Sequence, residues 1–421
     1  MNNGFNLNKS KFNILFFEYY TTLNTSDASI LSEAEAMVNS VLYELNELDD
    51  NEYGAYYLSS SKFSTVSNKY DNVNSLVLNK DLHQWINDYL ELFDGVFLIA
   101  GEENMNLYNL TKLIEKKNIK LFCSKSKGVF ISSNKDSTYK TLKNIVKQPK
   151  TAKFSFNLLY QQYNKINTDN KDTKFVTEGD KQLNFESFVF SFITEFKKNF
   201  SSKLIIKPVN GIDCENITIL ESKNDLKQFS KDFINININN INSNSNINNS
   251  NSSSNSNSNN NFNEEFLIQE FIDGEIVSVS LIAIQNGNKT IIYPLSLNKQ
   301  YIDLYGYDKY LGGEIPFNHP LKKEAFKTAI SAVEAIEGLH GFLGVDLILT
   351  ENEVFFIEVN SRFTTPYVAL QKIAKDFEFN IIKTIIDLSF NPIEGICFKE
   401  LFESNGTFVK FKKENNKLII E

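Results

Sequence analysis

Residues 344–362 read GVDLILTENEVFFIEVNSR, the stretch of the chain that is most informative about its architecture. Two apolar runs, at 344–349 and 354–359, flank a short polar turn, which predicts two neighbouring β-strands. Asp346 lies on the first run, Glu358 lies on the second, and Asn360 follows two positions later. Side chains at i and i+2 of a strand share one face, so Glu358 and Asn360 project together. The preceding strand can bring Asp346 beside them.

Two carboxylates and one amide that converge in this way suit a magnesium ion, which prefers oxygen ligands and keeps positions for water and phosphate. We therefore predict a Mg²⁺ site at Asp346, Glu358 and Asn360; a capped hairpin with surface acids is the alternative. Arg362 continues the same side of the chain if the strand persists, and it is the only arginine in the sequence. Its planar guanidinium predicts bidentate binding of a phosphate, with a surface salt bridge as the alternative.

The composition predicts a protein that acts on small molecules. A length of 421 residues suggests two or three packed units, and 42% hydrophobic residues are enough for their cores. The net charge of -9 gives no electrostatic footprint for nucleic acid or for an anionic membrane. Three cysteines and three histidines lack paired metal-ligand spacing, so no zinc site is predicted.

The sequence also predicts a cytoplasmic location. The longest apolar runs, such as Val96 to Ala100 and Phe342 to Leu349, are far shorter than the roughly 20 residues that cross a bilayer. Met1 to Lys11 is polar and lacks the apolar core of a secretory signal.

The first third of the chain alternates between strand and helix patterns. Apolar runs at 12–17, 95–100 and 119–122 predict buried strands, and apolar residues at helical spacing follow the first two of them. This alternation predicts a parallel α/β domain within residues 1–133.

A second pattern begins near residue 203. Short β-like runs at 204–206, 217–220, 266–268 and 277–283 predict an antiparallel sheet. Residues 233–263 are almost wholly Asn, Ser and Ile, which predicts a disordered loop because so little surface can be buried. A helix over 321–340, the two strands described first, and a terminal β-ribbon at 410–421 complete an α+β arrangement.

Two segments of this second region suit a nucleotide. Lys207 directly follows the run 204–206 and precedes Pro208. Burying a lysine on the inward face of a strand costs free energy unless its charge meets an anion such as a phosphate. An exposed lysine at the end of a strand is the simpler interpretation. The backbone amides and carbonyls of the connector 269–272 could bind the edge of an adenine ring. Glu275, which follows the connector, could then bind a hydroxyl group of the ribose. A hairpin with a polar turn is the alternative.

Over about residues 135–391, the chain resembles the ATP-grasp superfamily in the order of four motifs. These are the lysine-proline strand, the QEFIDGE connector at 269–275, the GVDLIL strand and the IEVNSR strand. The resemblance implies an ATP-grasp fold at 134–391 containing the insert 233–263, preceded by the α/β domain 1–133 and followed by a β tail at 392–421. It also implies ATP with Mg²⁺, or Mn²⁺, as cofactors. The implied nucleotide-binding residues are Lys207 for the phosphates, Gln269, Glu270, Phe271 and Ile272 for adenine, and Glu275 for ribose. Asp346, Glu358 and Asn360 match the metal ligands of the superfamily. Arg362 matches an arginine that stabilises a bound phosphate.

A further phosphate-binding lysine is implied before the central sheet. Lys140 matches it best and Lys135 is the competitor. The sequence departs from the superfamily at the loop 209–215, which covers the phosphates and is normally glycine-rich, because this loop holds a single glycine, Gly211.

The segments 16–19, 208–215, 297–300 and 358–367 are similar to those of the tyramine–L-glutamate ligases of methanofuran biosynthesis. This resemblance implies an ATP-dependent, ADP-forming ligase that joins the γ-carboxylate of L-glutamate to tyramine through an acyl-phosphate. There are two alternatives. One is another ATP-grasp ligase that joins amino acids or amines, and the other is a regulatory protein that binds a nucleotide without catalysing a reaction.

Overall fold

The computed structural model describes residues 7, 10–25, 27–169, 178–200, 203–210, 217–247, 265–287, 289–305, 310–399, 402, 408–414 and 417–421. Contacts group the chain into two compact units. Residues 149–272 form one unit, and residues 1–148 together with 273–421 form the other, which is discontinuous in sequence. The predicted boundaries after residues 133 and 391 divide the chain differently and stay a prediction.

The first segment of the discontinuous unit alternates between strands and helices. Its elements are β1 (Phe12–Glu18), α1 (Tyr19–Leu23), α2 (Ala28–Asn46), β2 (Tyr53–Ser59), β3 (Val73–Val77), α3 (Leu82–Tyr89), β4 (Gly95–Ile99), α4 (Asn106–Ile114), β5 (Lys120–Leu121), α5 (Ser126–Ser133) and α6 (Lys135–Thr141). Five of them form a sheet in the order β3-β2-β1-β4-β5, with every pair parallel. The predicted parallel α/β arrangement of this segment is confirmed.

The compact unit 149–272 is built around a four-stranded antiparallel sheet. Its elements are β6 (Thr151–Ser155), α7 (Phe156–Asp169), α8 (Glu178–Phe200), β7 (Leu204–Pro208), β8 (Thr218–Leu220), α9 (Lys223–Ile247) and β9 (Glu265–Glu270). The strand order is β6-β9-β7-β8.

The second segment of the discontinuous unit holds a seven-stranded antiparallel sheet in the order β14-β13-β10-β11-β12-β15-β16. Its elements are β10 (Glu275–Asn286), β11 (Lys289–Ile302), β12 (Tyr310–Ile315), α10 (Lys322–Glu334), β13 (Gly341–Leu349), β14 (Val354–Asn360), α11 (Pro366–Lys375), α12 (Ile381–Phe390), β15 (Val409–Glu414) and β16 (Lys417–Ile420). The terminal β-ribbon is confirmed, since β15 pairs with β16.

Two predictions about the middle of the chain are wrong. The run 277–283 does not join the strands at 204–206, 217–220 and 266–268; it belongs to β10 in the seven-stranded sheet. The loop predicted to start at Phe233 is helical up to Ile247 as part of α9, because Phe233 and Ile234 are buried among aromatic side chains of that unit. The rest of the predicted loop, 248–263, lies outside the described residues.

One core connects the two sheets of the discontinuous unit. It contains Phe16 of β1, Val41 of α2, Phe342 of β13, Ile385 of α12 and Phe411 of β15. The start of β13, the strand that carries Asp346, is therefore packed in the same core as the parallel sheet.

Candidate active site

The predicted metal ligands lie side by side on β13 and β14. These strands pair antiparallel, with Asp346 opposite Glu358 and Gly344 opposite Asn360. The register shifts just after Asp346, and such a bulge locally re-aims side chains. The Asn360 Nδ2 atom donates to Asp346 Oδ2 at 2.9 Å. The strand spacing read from the sequence is thus confirmed, while metal binding itself stays a prediction.

The electrostatics of Asp346 suit a cation. Burial and the neighbouring charge of Glu358 raise the pKa of Asp346 to about 7. Gln300 Nε2 donates to its Oδ1 at 3.1 Å. Within the described residues, no cluster of three or more His, Cys, Asp and Glu side chains has metal-site geometry. The donor set is two carboxylates and one amide, and this set fits a magnesium ion that keeps water or phosphate as further ligands.

Lys135, and not Lys140, is the lysine that reaches these carboxylates. The Nζ atom of Lys135 lies 3.3 Å from Glu358 Oε2, and its side chain is only 15% exposed. Lys140 pairs with Asp136 one helical turn away at 2.6 Å, and its side chain is 66% exposed. The geometry therefore favours the competitor that the sequence placed second.

Arg362 does not continue the strand. β14 ends at Asn360, and Arg362 lies in the connection to α11, where its Nη1 atom donates to Phe363 O at 3.1 Å. The adjacent Ser361 donates through Oγ to Glu102 Oε1 at 3.3 Å. Burial raises the pKa of Glu102, an effect that the positive charges of Arg362 and Lys135 oppose.

Tyr20 and Glu102, which follow strands of the parallel sheet, interact electrostatically with this arginine, and the sequence did not single them out. Glu18 ends β1, and burial raises its pKa to about 7. Tyr20 donates a hydrogen bond to Glu103, which follows β4. Burial and Glu103 raise the pKa of the Tyr20 phenol, and Arg362 lowers it. A signal was available, because polar residues directly after parallel strands lie where α/β sheets bind ligands.

The sequence matches the ATP-grasp domain family over residues 238–366. It is 31% identical over 362 residues to the tyramine–L-glutamate ligase of Methanocaldococcus fervens, which covers 85% of this chain and 89% of that protein. The chain belongs to the tyramine–L-glutamate ligase family, within the ATP-grasp superfamily. The ligase of the same name from Methanocaldococcus jannaschii is 29% identical over 414 residues, or 97% of this chain and 94% of that protein.

The ATP-grasp fold is equally evident in solved structures. An ATP-grasp superfamily protein from Archaeoglobus fulgidus superposes with a TM-score of 0.59 at 20% identity, over 97% of this chain and 99% of that one. The fold inferred from the IEVNSR and GVDLIL strands is therefore confirmed.

The nucleotide residues implied by the ATP-grasp resemblance fall in both compact units. In the unit 149–272, Lys207 lies on β7 and is 6% exposed. Gln269 is buried on β9 and donates to Thr151 Oγ1 at 2.8 Å, while Glu270 accepts from the Lys150 amide at 3.2 Å. The half-buried Phe271 and Ile272 follow β9. The loop residues 211–216 lie outside the described residues.

Glu275 belongs to the discontinuous unit, at the start of β10. Its Oε1 atom lies 3.3 Å from Lys299 Nζ and its Oε2 atom lies 4.0 Å from His319 Nε2. The ribose role implied for this ATP-grasp residue stays a prediction.

Among the residues that the structure describes, none forms a helix with the length and apolar character needed to span a membrane.

Proposed function

We propose that this protein is an ATP-dependent ligase that joins the γ-carboxylate of L-glutamate to tyramine, giving γ-glutamyltyramine, ADP and phosphate. Membership of the tyramine–L-glutamate ligase family supports the substrates. One structural observation carries the chemistry: Lys135 contacts Glu358, which lies opposite Asp346 and adjoins the segment with Arg362. Two cationic side chains and the oxygens that we propose as metal ligands thus lie near one edge of the sheet.

In the first step, an oxygen of the γ-carboxylate attacks the γ-phosphorus of ATP, and ADP leaves with the bond electrons. Negative charge on the transferring group is stabilised by fixed positive groups, for which we propose Lys135 and Arg362. A bound Mg²⁺ ion, with Mn²⁺ as a possible substitute, would add further positive charge there. Asp346, Glu358 and Asn360 are the residues proposed to hold it.

In the second step, the neutral amine of tyramine attacks the acyl carbon, and phosphate leaves with the former carboxylate oxygen. The attacking nitrogen loses one proton. We propose Glu102 as its acceptor, because Glu102 accepts a hydrogen bond from Ser361 beside Arg362 and its pKa is raised by burial. A carboxyl group whose pKa moves toward neutrality is a better base at pH 7.

The nucleotide contacts follow from the same proposal. We assign the phosphates to Lys207 and Lys135, with Lys140 as the alternative to Lys135. The adenine is assigned to residues 269–272 and the ribose to Glu275.

The decisive experiment follows ¹⁸O placed in the γ-carboxylate of glutamate. An acyl-phosphate route transfers one labelled oxygen to the released phosphate and forms ADP. Label in AMP, with pyrophosphate as the other product, would overturn the proposed mechanism.

A substrate panel separates the mechanism from the choice of substrates. Glutamine, which lacks the γ-carboxylate, is the matched inactive acid, and phenethylamine, which lacks only the phenolic hydroxyl, is the matched amine. We expect ADP release with glutamate and tyramine and none with glutamine. Turnover with a different acid and amine, but not with this pair, would overturn the substrates and leave the ATP-grasp ligase chemistry standing.

A further inference from the structure

The position of Arg362 is not set by sheet hydrogen bonds. Residues 361–365, named here the arginine segment, connect the end of β14 to Pro366, the first residue of α11. The hydrogen bond from Arg362 to the neighbouring Phe363 carbonyl is local, whereas Ser361 ties the start of the segment to Glu102. Further contacts hold the other end of the segment.

Two carboxylates of α2 reach this part of the chain. Glu33 and Glu44 are eleven residues apart, which is about three helical turns, so both lie on one face of α2. Glu33 Oε2 accepts from Thr365 Oγ1 at 3.1 Å, and its Oε1 lies 2.7 Å from Lys413 Nζ. Glu44 Oε2 accepts from Tyr367 Oη at 2.6 Å.

The contact at Glu44 is buried and shared with a second helix. Glu44 is 2% exposed and Tyr367 is fully buried. The Glu44 carboxyl also accepts from the backbone amides of Ile381 at 2.9 Å and Ile382 at 3.2 Å, in the first turn of α12. Such amides have no partner within their own helix. Glu44 therefore fixes α11 and α12 relative to α2.

Aromatic packing carries this constraint from Tyr367 to the residue beside the arginine. The rings of Tyr367 and Phe363 meet edge to face, with centroids 4.7 Å apart. Phe363 in turn stacks on Phe342 of β13, with centroids 5.2 Å apart. A Cβ atom placed on Gly344 would lie 2.9 Å from Thr364 Cγ2, so the glycine lets the segment lie against β13.

We infer that Glu44 and Tyr367 are positioning residues for Arg362, with Glu33 and Thr365 as a second anchor. The inference rests on the proposed function, in which Arg362 stabilises the transferring phosphoryl group. It also gives the Thr364-Thr365-Pro366-Tyr367 sequence a physical role, because two of its four side chains bind α2. A misplaced Arg362 should lower kcat by between about 10- and 100-fold, with little change in KM for ATP.

The test compares two tyrosine-to-phenylalanine variants in the full chain. Tyr367→Phe removes the bond to Glu44. Tyr293→Phe is the matched control, because the buried Tyr293 of the same core donates a bond of equal length, 2.6 Å, to Ile393 O. We expect both variants to lower the melting temperature slightly and only Tyr367→Phe to lower kcat, in assays well below either melting temperature. Equal kcat values for the two variants would overturn the inference.

A double-mutant cycle with Arg362→Lys tests whether Tyr367 acts through Arg362. If it does, Tyr367→Phe should reduce kcat much less in the Arg362→Lys protein than in the wild type. Independent, multiplicative losses would overturn the inference. A normal kcat for Arg362→Lys alone would instead contradict the proposed function, so the two failures are distinguishable.

The second anchor has its own conservative rescue. Thr365→Val keeps the shape but loses the hydroxyl, whereas Thr365→Ser keeps the donor to Glu33. We expect a lower kcat for the valine variant and a near-normal kcat for the serine variant. Equal kcat values in these two proteins would remove Glu33 and Thr365 from the inference.

Discussion

Lys135 and Lys140 occupy opposite ends of the same short helix, and their surroundings differ greatly. Lys135 is mostly buried against Glu358, whereas Lys140 is largely exposed and pairs with Asp136. An ion pair one helical turn apart whose lysine is largely exposed contributes little to stability. A lysine held beside a carboxylate of the predicted metal site is placed to act on phosphate.

The two lysines provide a matched test. We expect Lys135→Ala to lower kcat/KM for ATP at least about tenfold, because a charge facing the phosphates is lost. Lys140→Ala should stay within about twofold of wild type. Steady-state kinetics with varied ATP would measure both; a larger loss for Lys140→Ala would restore Lys140 as the phosphate lysine.

Substitutions of single residues also test the predicted metal ligands. We expect Glu358→Gln and Asn360→Ala to abolish ligation while the melting temperature of the metal-free protein stays near that of wild type, because a divalent cation loses an oxygen ligand. Calorimetric titration of Mg²⁺ with ADP should show weaker metal binding. Full turnover in a folded Glu358→Gln protein would contradict the metal site.

Among the elements, strands and helices with regular apolar patterns were predictable, whereas a helix of unusual composition was not. β1, β4, β13 and β14 are buried apolar runs, and their assignments are confirmed. α9 was missed because its second half is composed of Asn, Ser and Ile, which have weak helix propensity, while its first half buries Phe233. Tertiary packing outweighed composition there. The Glu102 and Glu103 positions needed the three-dimensional sheet, since nothing local in the sequence joins them to Arg362.

The burial of α9 predicts a specific stability effect. Phe233→Ala should lower the free energy of unfolding by about 3–5 kcal/mol, because it empties a site packed by Phe154, Phe156 and Phe266. Lys231→Ala, at an exposed position of the same helix, is the control and should change it by less than about 0.5 kcal/mol. Denaturant titration measures both, and an unchanged Phe233→Ala protein would mean that this part of α9 is not packed.

For the whole molecule, buried ionisable groups make stability depend on pH in opposite directions. Burial raises the pKa of Glu44 and of Glu18 to about 7, so the folded protein keeps protons that the unfolded chain releases above about pH 4.5. Their contribution to stability is therefore lost as the pH rises from about 4.5 to 7. Burial lowers the pKa of His340 to about 4, so its contribution is lost as the pH falls from about 6.5 to 4.

The Glu44→Gln substitution isolates the contribution of Glu44 to the pH dependence of stability. A carboxyl pKa raised from 4.5 to about 7 corresponds to about 3 kcal/mol. The stability advantage of wild type over the variant should therefore shrink by about that amount between pH 5 and pH 8. Denaturant titrations across this range measure it, with Glu35→Gln, an exposed position on α2, as the control. A constant difference would mean that Glu44 ionises normally when buried.

The interrupted order of the discontinuous unit has a consequence for synthesis on the ribosome. Residues 149–272 are contiguous, so that unit can become complete while translation continues. The core that contains Phe16 and Trp85 also requires Ile385 and Phe411, which are translated between 300 and 395 residues later. During translation, the apolar side chains of the parallel sheet therefore stay exposed until the last part of the chain is made. Such exposed apolar surface favours aggregation. We expect release of the chain from the ribosome to depend on chaperones that bind such surfaces, and a chain stalled before β15 to be protease-sensitive in the strands of the parallel sheet while strands β6, β7, β8 and β9 resist cleavage.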